Sequence, residues 1–415
     1  MAGCRTNQVS RHDDKSRAAS RWRRAALAVS GFTLLLGLSG MVSANAAQVS
    51  QHATASSRTW TIQKTPNQPL ADINALSSVS CTSAKACTAV GTYSLTLASP
   101  IGALAERWNG TSWSLQAPAR PAGAVAIEFF GVSCPSVRAC TAVGVVARKL
   151  ASGTLAEAWN GKSWAVQPTP TIKGATASAL YSVSCTSPTA CTAVGHYSTA
   201  THGALAMVER WNGTAWSLQA IPRPATNTWF FGVSCSTRTA CVAVGYLNTG
   251  TGDAQLFAEA WNGAKWRVLK VPLPHGSPGG AFNAVSCTSP KACTATGTAF
   301  GTSPTLAERW NGTSWRVQPT PNPPKFTSSA GQVALDGVSC TSRTACTASG
   351  EYSPGGLAAY FAEAWNGASW KLQATPLPAD FHSGALLGIS CVPAQCTAVG
   401  AYSALAGQVT LAMVR

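Results

Sequence analysis

Fourteen of the fifteen cysteines stand in close pairs, and thiols paired at short spacing either close a disulfide or hold a metal. The pairs are Cys81/Cys87, Cys134/Cys140, Cys185/Cys191, Cys235/Cys241, Cys287/Cys293, Cys340/Cys346 and Cys391/Cys396. Six of them enclose five residues and the last encloses four. No histidine lies at ligand spacing beside any pair, so no metal or other cofactor is expected. An even number of thiols in regular pairs predicts seven local disulfides and an oxidising compartment.

Carboxylates repeat in step with the cysteines, at Glu106, Glu157, Glu209, Glu259, Glu308 and Glu363, each two residues before a tryptophan. Glycoside hydrolysis needs one pair of acids at a set separation, and six equivalent acids cannot all serve one site. Each is read instead as a buried carboxylate accepting from an indole N–H. A Ser-His-Asp site has no support, because no Gly-x-Ser-x-Gly elbow occurs and His196, His202, His275 and His382 are scattered. Asn109-Gly-Thr111, Asn212-Gly-Thr214 and Asn311-Gly-Thr313 match glycosylation sequons, but tight turns already account for them.

The elements that would position these groups follow from the cysteine period, since successive first cysteines are 53, 51, 50, 52, 53 and 51 residues apart. Such a period suits propeller blades better than helical solenoids. Four β-like runs fall in each period, as in Ser78–Cys81, Cys87–Gly91, Leu104–Trp108 and Trp113–Gln116. Asn-Gly separates the third run from the fourth six times, predicting a two-residue type I′ hairpin that pairs Trp108 with Thr111 and Glu106 with Trp113. Each cysteine pair would join the end of the first strand to the start of the second, contributing about 2 kcal/mol.

The two chain ends complete one repeat. Thr410–Val414 matches a third strand and the chain then stops, whereas Trp60-Thr61-Ile62-Gln63 before Pro66 copies Trp113-Ser114-Leu115-Gln116 before Pro118. Sewing the last sheet from both termini removes free edges. The predicted fold is therefore all-β: a closed seven-bladed β-propeller with four antiparallel strands per blade, one disulfide per blade, and the last blade completed by the N-terminal strand.

Ala-Val-Gly in the second strand, an apolar third strand, a tight turn and a following Trp resemble the kelch repeat of galactose-oxidase-like propellers across 58–415. The resemblance implies a blade plan only. Kelch blades carry Gly-Gly where this chain has Gly91, Gly144 or Gly195, and none of the oxidase's copper or radical residues maps here. The cysteine-plus-Trp-Asn-Gly unit also resembles exported repeat proteins of actinobacteria. A two-repeat rhythm runs through the chain, with Arg107, Ala158, Arg210, Ala260, Arg309 and Ala364 before the Trp, and Arg138, Arg238 and Arg343 in alternate cysteine loops. It is read as duplication of a two-blade block.

Residues 1–46 read as a signal peptide, with Arg17, Arg21, Arg23 and Arg24 preceding an apolar run from Ala25 to Val42 and an Ala44-Asn45-Ala46 cleavage site. Residues 47–57 are expected to form a flexible segment before the propeller at 58–415. Secretion is expected, with no membrane span after signal removal. Setting aside the leader's seven basic and two acidic residues from totals of 30 and 14 leaves a net charge of +11, which favours anionic surfaces. These charges are scattered without interleaved aromatics, which excludes nucleic acid. A monomer is expected.

Function is expected where loops vary. The cysteine loops and Asn-Gly turns would share one rim of the disc, and the second-to-third and blade-to-blade connections the other. The variable rim carries the binding candidates Tyr93, His196, Tyr197, His202, Trp229, Tyr246, Asp253, Tyr352 and Tyr402, together with Phe129, Glu128, Phe326, Asp336, Glu351 and Asp380. The favoured function is non-catalytic binding of a glycan, cell-wall polymer or protein. One alternative is a polysaccharide hydrolase or lyase at the axial mouth using His196, His202 and Asp253. Another is a propeller lectin with inter-blade sugar sites at Arg107, Arg210 and Arg309.

Overall fold

A computed structural model describes residues 59–149, 151–222, 227–248, 254–301, 304–323, 332–353, 357–405 and 407–415. The expected leader and the segment at 47–57 lie outside the described residues, as do Asp253 and Phe326. The described residues form strands and turns with no helix, so none is long and apolar enough to cross a membrane.

In the first repeat the four strands are Ile73–Ser83, Ala86–Ser94, Gly102–Trp108 and Trp113–Gln116. The predicted runs lie inside them. Small and β-branched residues suit the second strand because it is covered on both faces: Cys87 to Gly91 are all buried.

All seven predicted disulfides form: Cys81–Cys87, Cys134–Cys140, Cys185–Cys191, Cys235–Cys241, Cys287–Cys293, Cys340–Cys346 and Cys391–Cys396. Their expected place at the strand ends is corrected. Both strands run past the bridge, so each disulfide stands inside the ladder, one or two residues from the turn. The second cysteines are consequently core residues: Cys87, Cys140, Cys191, Cys241, Cys293 and Cys346 are buried, and Cys396 is half-buried. A threonine hydroxyl of the previous repeat donates to most of these sulfurs, since a disulfide sulfur can only accept. Thr88 reaches Cys140 at 3.5 Å, Thr141 reaches Cys191 at 3.6 Å, and Thr192 reaches Cys241 at 3.6 Å. Thr294 reaches Cys346 at 3.6 Å and Thr347 reaches Cys396 at 3.4 Å. Val242 stands at the threonine position before Cys293, and the two share an apolar cluster instead.

Among the described residues there are five four-stranded sheets and one eight-stranded sheet. The larger sheet holds the first and last repeats, joined by a single parallel bridge between Ile73 and Gln408. In its last-repeat half, Thr61–Gln63 pairs antiparallel with Gly407–Val414, with Thr61 opposite Val414. The N-terminal strand therefore supplies the fourth strand that the C-terminus lacks.

The core lies between consecutive sheets. Phe129 and Ile127 of the second repeat pack with Val90 and Ala105 of the first, and Leu76 and Val79 of the first pack with Val399 and Ala412 of the last. A hydrogen bond recurs at these interfaces: the amide of a first cysteine donates to the serine that precedes the first cysteine of the previous repeat. Cys134 N reaches Ser80 Oγ at 3.0 Å, Cys235 N reaches Ser184 Oγ at 2.9 Å, and Cys81 N reaches Ser390 Oγ at 3.0 Å.

Two further local expectations are corrected. Trp108 pairs with Trp113 and Glu106 with Leu115, so the turn spans four residues rather than two. Its shape is set by the asparagine side chain: Asn109 Oδ1 accepts from the amides of Thr111 and Ser112, both at 2.9 Å, while Gly110 takes φ 101°. The paired indoles sit 5.7 Å apart.

The other correction concerns the indole N–H groups, which do not meet the repeated glutamates. Trp113 Nε1 donates to Gln63 Oε1 at 2.9 Å, Trp370 to Gln318 at 3.0 Å, and Trp60 to Gln373 at 3.0 Å. A Gln on the fourth strand of the neighbouring repeat faces the ring instead, while Glu106, Glu209, Glu259, Glu308 and Glu363 are fully buried. Burial pushes each of them up to about 8. Glu157, which accepts from Ala119 N, rises to about 7.

Candidate functional site

Every first strand slips by one residue against the second, at Leu76/Ser78, Phe129/Gly131, Leu180/Ser182, Phe230/Gly232, Phe282/Ala284, Leu335/Gly337 and Leu386/Gly388. A bulge leaves one residue outside the ladder and re-aims its side chain. Those residues are Ser77, Phe130, Tyr181, Phe231, Asn283, Asp336 and Leu387. The glycine of the second strand permits the bulge: a Cβ on Gly195 would lie 1.9 Å from the carbonyl oxygen of Ala179. This is the physical content of Ala-Val-Gly.

First strands of consecutive repeats contact one another, so the bulge residues of neighbouring repeats lie side by side. The rings of Phe130 and Tyr181 are 5.4 Å apart, and those of Tyr181 and Phe231 also 5.4 Å. Farther along, Asn283 Nδ2 donates to Asp336 Oδ1 at 3.0 Å and to Leu335 O at 3.3 Å. The series is thus divided, with an aromatic arc on repeats two to four and an amide–carboxylate pair on repeats five and six.

The aromatic arc continues onto residues of the second strands and of the fourth repeat's first strand. Tyr181 stacks on His196 at 5.6 Å with an interplanar angle of 11°. His196 lies 6.1 Å from Trp229, and Trp229 stacks on Tyr246 at 4.8 Å. Phe231 closes the group at 5.6 Å from Tyr246. Tyr246 is only 3% exposed, and its hydroxyl pKa is raised by burial and by the nearby Tyr181.

Three of the binding candidates, His196, Trp229 and Tyr246, therefore come together. Others stand apart. Tyr197 is 6% exposed and belongs to the core with Val183 and Met207. Tyr93 lies half-buried against Gly102, and Tyr352 makes an edge contact with Phe361 at 5.9 Å. Tyr402 stacks on Phe381 at 6.2 Å and meets the Asp380 side chain. His202 is exposed at a hairpin end, its Nδ1 2.9 Å from the Thr201 hydroxyl. Glu128, Phe129, Trp229 and Asp336 sit in first strands rather than loops. No cluster of His, Cys, Asp or Glu suited to a metal occurs among the described residues.

The arginines of the lectin reading are engaged by protein. Arg107, Arg210 and Arg309 lie over Trp159, Trp261 and Trp365 of the following repeat at 4.9, 4.6 and 5.3 Å. Each also donates to a cysteine-loop carbonyl, of Val137, Arg238 and Arg343 respectively.

Sequence reasoning missed Phe130, Tyr181, Phe231, Asn283 and Leu387. Their signal was positional: each stands four residues before the first cysteine of its repeat, where the neighbouring residues hardly vary.

The sequence matches no protein-family model and no curated protein. Its structure is similar to that of YCF48 bound to D1 peptide, with 12% identity over 86% of this chain and 95% of that one and a TM-score of 0.51. It is likewise similar to YCF48 from Cyanidioschyzon merolae, with 11% identity, 86% and 98% coverage and a TM-score of 0.51. An ulvan lyase of the polysaccharide lyase family PL25, bound to GlcA(1-4)Rha3S, is similar at 10% identity, 83% and 91% coverage and a TM-score of 0.53. These neighbours are β-propellers. The chain is a disulfide-bonded, repeat-built protein of that fold.

Proposed function

We propose that this protein is a secreted, non-catalytic binding module, a closed seven-bladed propeller that holds its ligand at the axial mouth on the variable rim. Closure is supported by the Cys81–Ser390 hydrogen bond, which repeats the contact between other consecutive repeats, and by the pairing of Thr61–Gln63 with the C-terminal strand. Export of 47–415 after loss of the leader fits seven disulfides, which persist in oxidising compartments.

The observation that carries the reading is the group of half-buried rings Phe130, Tyr181, His196 and Trp229, backed by the buried Phe231, because partly exposed aromatic rings grouped on one sector offer binding surface. Ligands of either class suit the fold: one structural neighbour is bound to a peptide and another to a saccharide. Pull-down on cell-wall polymers and a glycan panel tests the proposal. Retention should drop in Trp229→Ala and persist in Arg210→Ala; equal retention of both with wild type would refute the axial site.

A further inference from the structure

We propose that the cysteine-loop ends of repeats four to six form a second binding surface, separate from the aromatic group, that takes a flexible acidic polysaccharide.

Cysteine loops and Asn-Gly turns lie at the same end of each antiparallel sheet. Gly110 accordingly packs against Lys85, Gly161 against Arg138 and Gly312 against Lys291. Contacts between repeats join like positions, so these ends stand side by side. Cys287 N donates to Ser234 Oγ at 2.9 Å between repeats four and five, and Arg309 donates to the Arg343 carbonyl between five and six.

Charge is sorted between the two ends. Among the described residues, the six repeated glutamates are buried and every other acidic side chain stands toward the far end of its sheet. Asp72 and Asp380 precede first strands, Glu128 and Asp336 lie in the first half of theirs, and Glu351 is near the far end of a second strand. At the cysteine-loop end Lys85, Arg138, Arg238, Lys291 and Arg343 are exposed, with no acidic side chain beside them among the described residues. Cations that scatter along the chain are thus gathered in space.

Repeats four to six carry more charge than the repeat requires. The residue after the fourth-strand tryptophan is Thr61, Ser114, Ala165 or Ser217 in four repeats, so a small side chain suffices there. In repeats four, five and six it is Arg267, Arg316 and Lys371, all exposed. Arg316 stands directly across the ladder from Arg309, and like charges placed opposite each other are destabilising. Arg107 and Arg210 face Ser114 and Ser217 instead. Burial and the Arg343 charge together lower the Arg309 pKa. Arg309, Arg316 and Arg343 thus share one place without a carboxylate to balance them, the arrangement of a surface that an anion completes.

The course of the charges selects the partner. Arg238, Lys291 and Arg343 lie in loops beyond the strands, whereas Arg267, Arg316 and Lys371 lie on outermost strands. The charged line therefore bends from the sheet ends onto their edges. A flexible chain follows such a line, but a bilayer surface does not, nor does a duplex with a persistence length of about 50 nm. No exposed aromatic side chain accompanies the line among the described residues, which removes the stacking used to hold single-stranded nucleic acid. Guanidinium forks match carboxylates, and an acidic polysaccharide presents these at regular intervals along a flexible chain.

Fluorescence anisotropy with labelled polygalacturonate at several salt concentrations tests this. The intact protein should bind, with an affinity that falls steeply as salt rises. Combining Arg267→Ser, Arg316→Ser and Lys371→Ser should weaken binding by about tenfold or more at low salt and flatten the salt dependence. Combining Arg148→Ser, Lys149→Ser and Lys173→Ser removes the same charge from the other end and should leave binding near wild type. Arg316→Ser alone should weaken binding without lowering the melting temperature, because it relieves the pairing with Arg309; a lower melting temperature would overturn the reading of Arg316 as an anion ligand. Trp229→Ala should bind polygalacturonate as wild type does, so failure of this surface and failure of the axial site are separate results. No binding at low salt, or equal weakening by the two triple variants, overturns the proposal. Tighter binding of single-stranded DNA or phosphatidylglycerol vesicles than of polygalacturonate overturns the polysaccharide class.

Discussion

The Arg210 guanidinium lies 4.6 Å over the Trp261 ring of the next repeat and donates to the Arg238 carbonyl at 2.7 Å. The same clamp joins the first repeat to the second and the fifth to the sixth. Ala158, Ala260 and Ala364 stand at the equivalent position in the intervening repeats. The two-repeat rhythm of the sequence is thus an alternation of clamped and plain interfaces.

Replacing Arg210 with Ala should lower unfolding stability by about 1–2 kcal/mol, the sum of a cation–π contact and a hydrogen bond at a partly exposed site. Arg210→Lys should recover only part, since an ammonium cannot both stack and reach the carbonyl in the same geometry. Urea denaturation of the three proteins measures this, and a loss in Lys equal to that in Ala would assign the effect to the guanidinium plane.

The buried carboxyls make stability depend on pH in an unusual direction. Glu259, Glu308 and Glu363 rise from 4.5 to about 8, each by burial. In that range the folded chain keeps protons that the unfolded chain releases, so stability is full below about pH 4.5 and declines as pH rises through about 8. Melting temperature should therefore fall from pH 5 to pH 8. Glu308→Gln removes one ionisation and should raise stability at pH 8 by on the order of 1 kcal/mol or more, with no gain at pH 4. A melting temperature flat from pH 5 to pH 8 would contradict this account.

Trp60 is 3% exposed, packs with Met413 and Leu411, and donates to Gln373. Trp60→Ala should cost about 3–5 kcal/mol, as for other large-to-small core changes. Hydrogen exchange should localise the damage to Gly407–Val414, which pairs with Thr61–Gln63. Protection of that strand equal to wild type would show that the N-terminal strand is dispensable.

Strands, disulfides and the joining of the two termini were legible because cysteine spacing and β-patterning are properties of the chain itself. The turn was not: Asn109 Oδ1 takes two amides at once, and side-chain capping of that kind lengthens a loop without changing its composition. The glutamate–indole pairing failed for a similar reason, since Gln63 reaches Trp113 across a repeat boundary that no local pattern marks. Burial of Cys140 and Cys191 escaped notice too, because the threonines that cap their sulfurs belong to the preceding repeat. Half of the aromatic site was visible as His196, Trp229 and Tyr246. Tyr181 stayed hidden because a bulge, not an alternation, turns it out of the ladder.

The alternation of clamps has a mechanical consequence. Val414 stands where Arg107 stands in the first repeat, so the last repeat is bordered by plain interfaces on both sides. It is also the repeat assembled from two distant pieces of chain. In the proposed ring this makes a seam: thermal opening should start there, and a long polymer could enter the centre sideways through the seam without offering a free end.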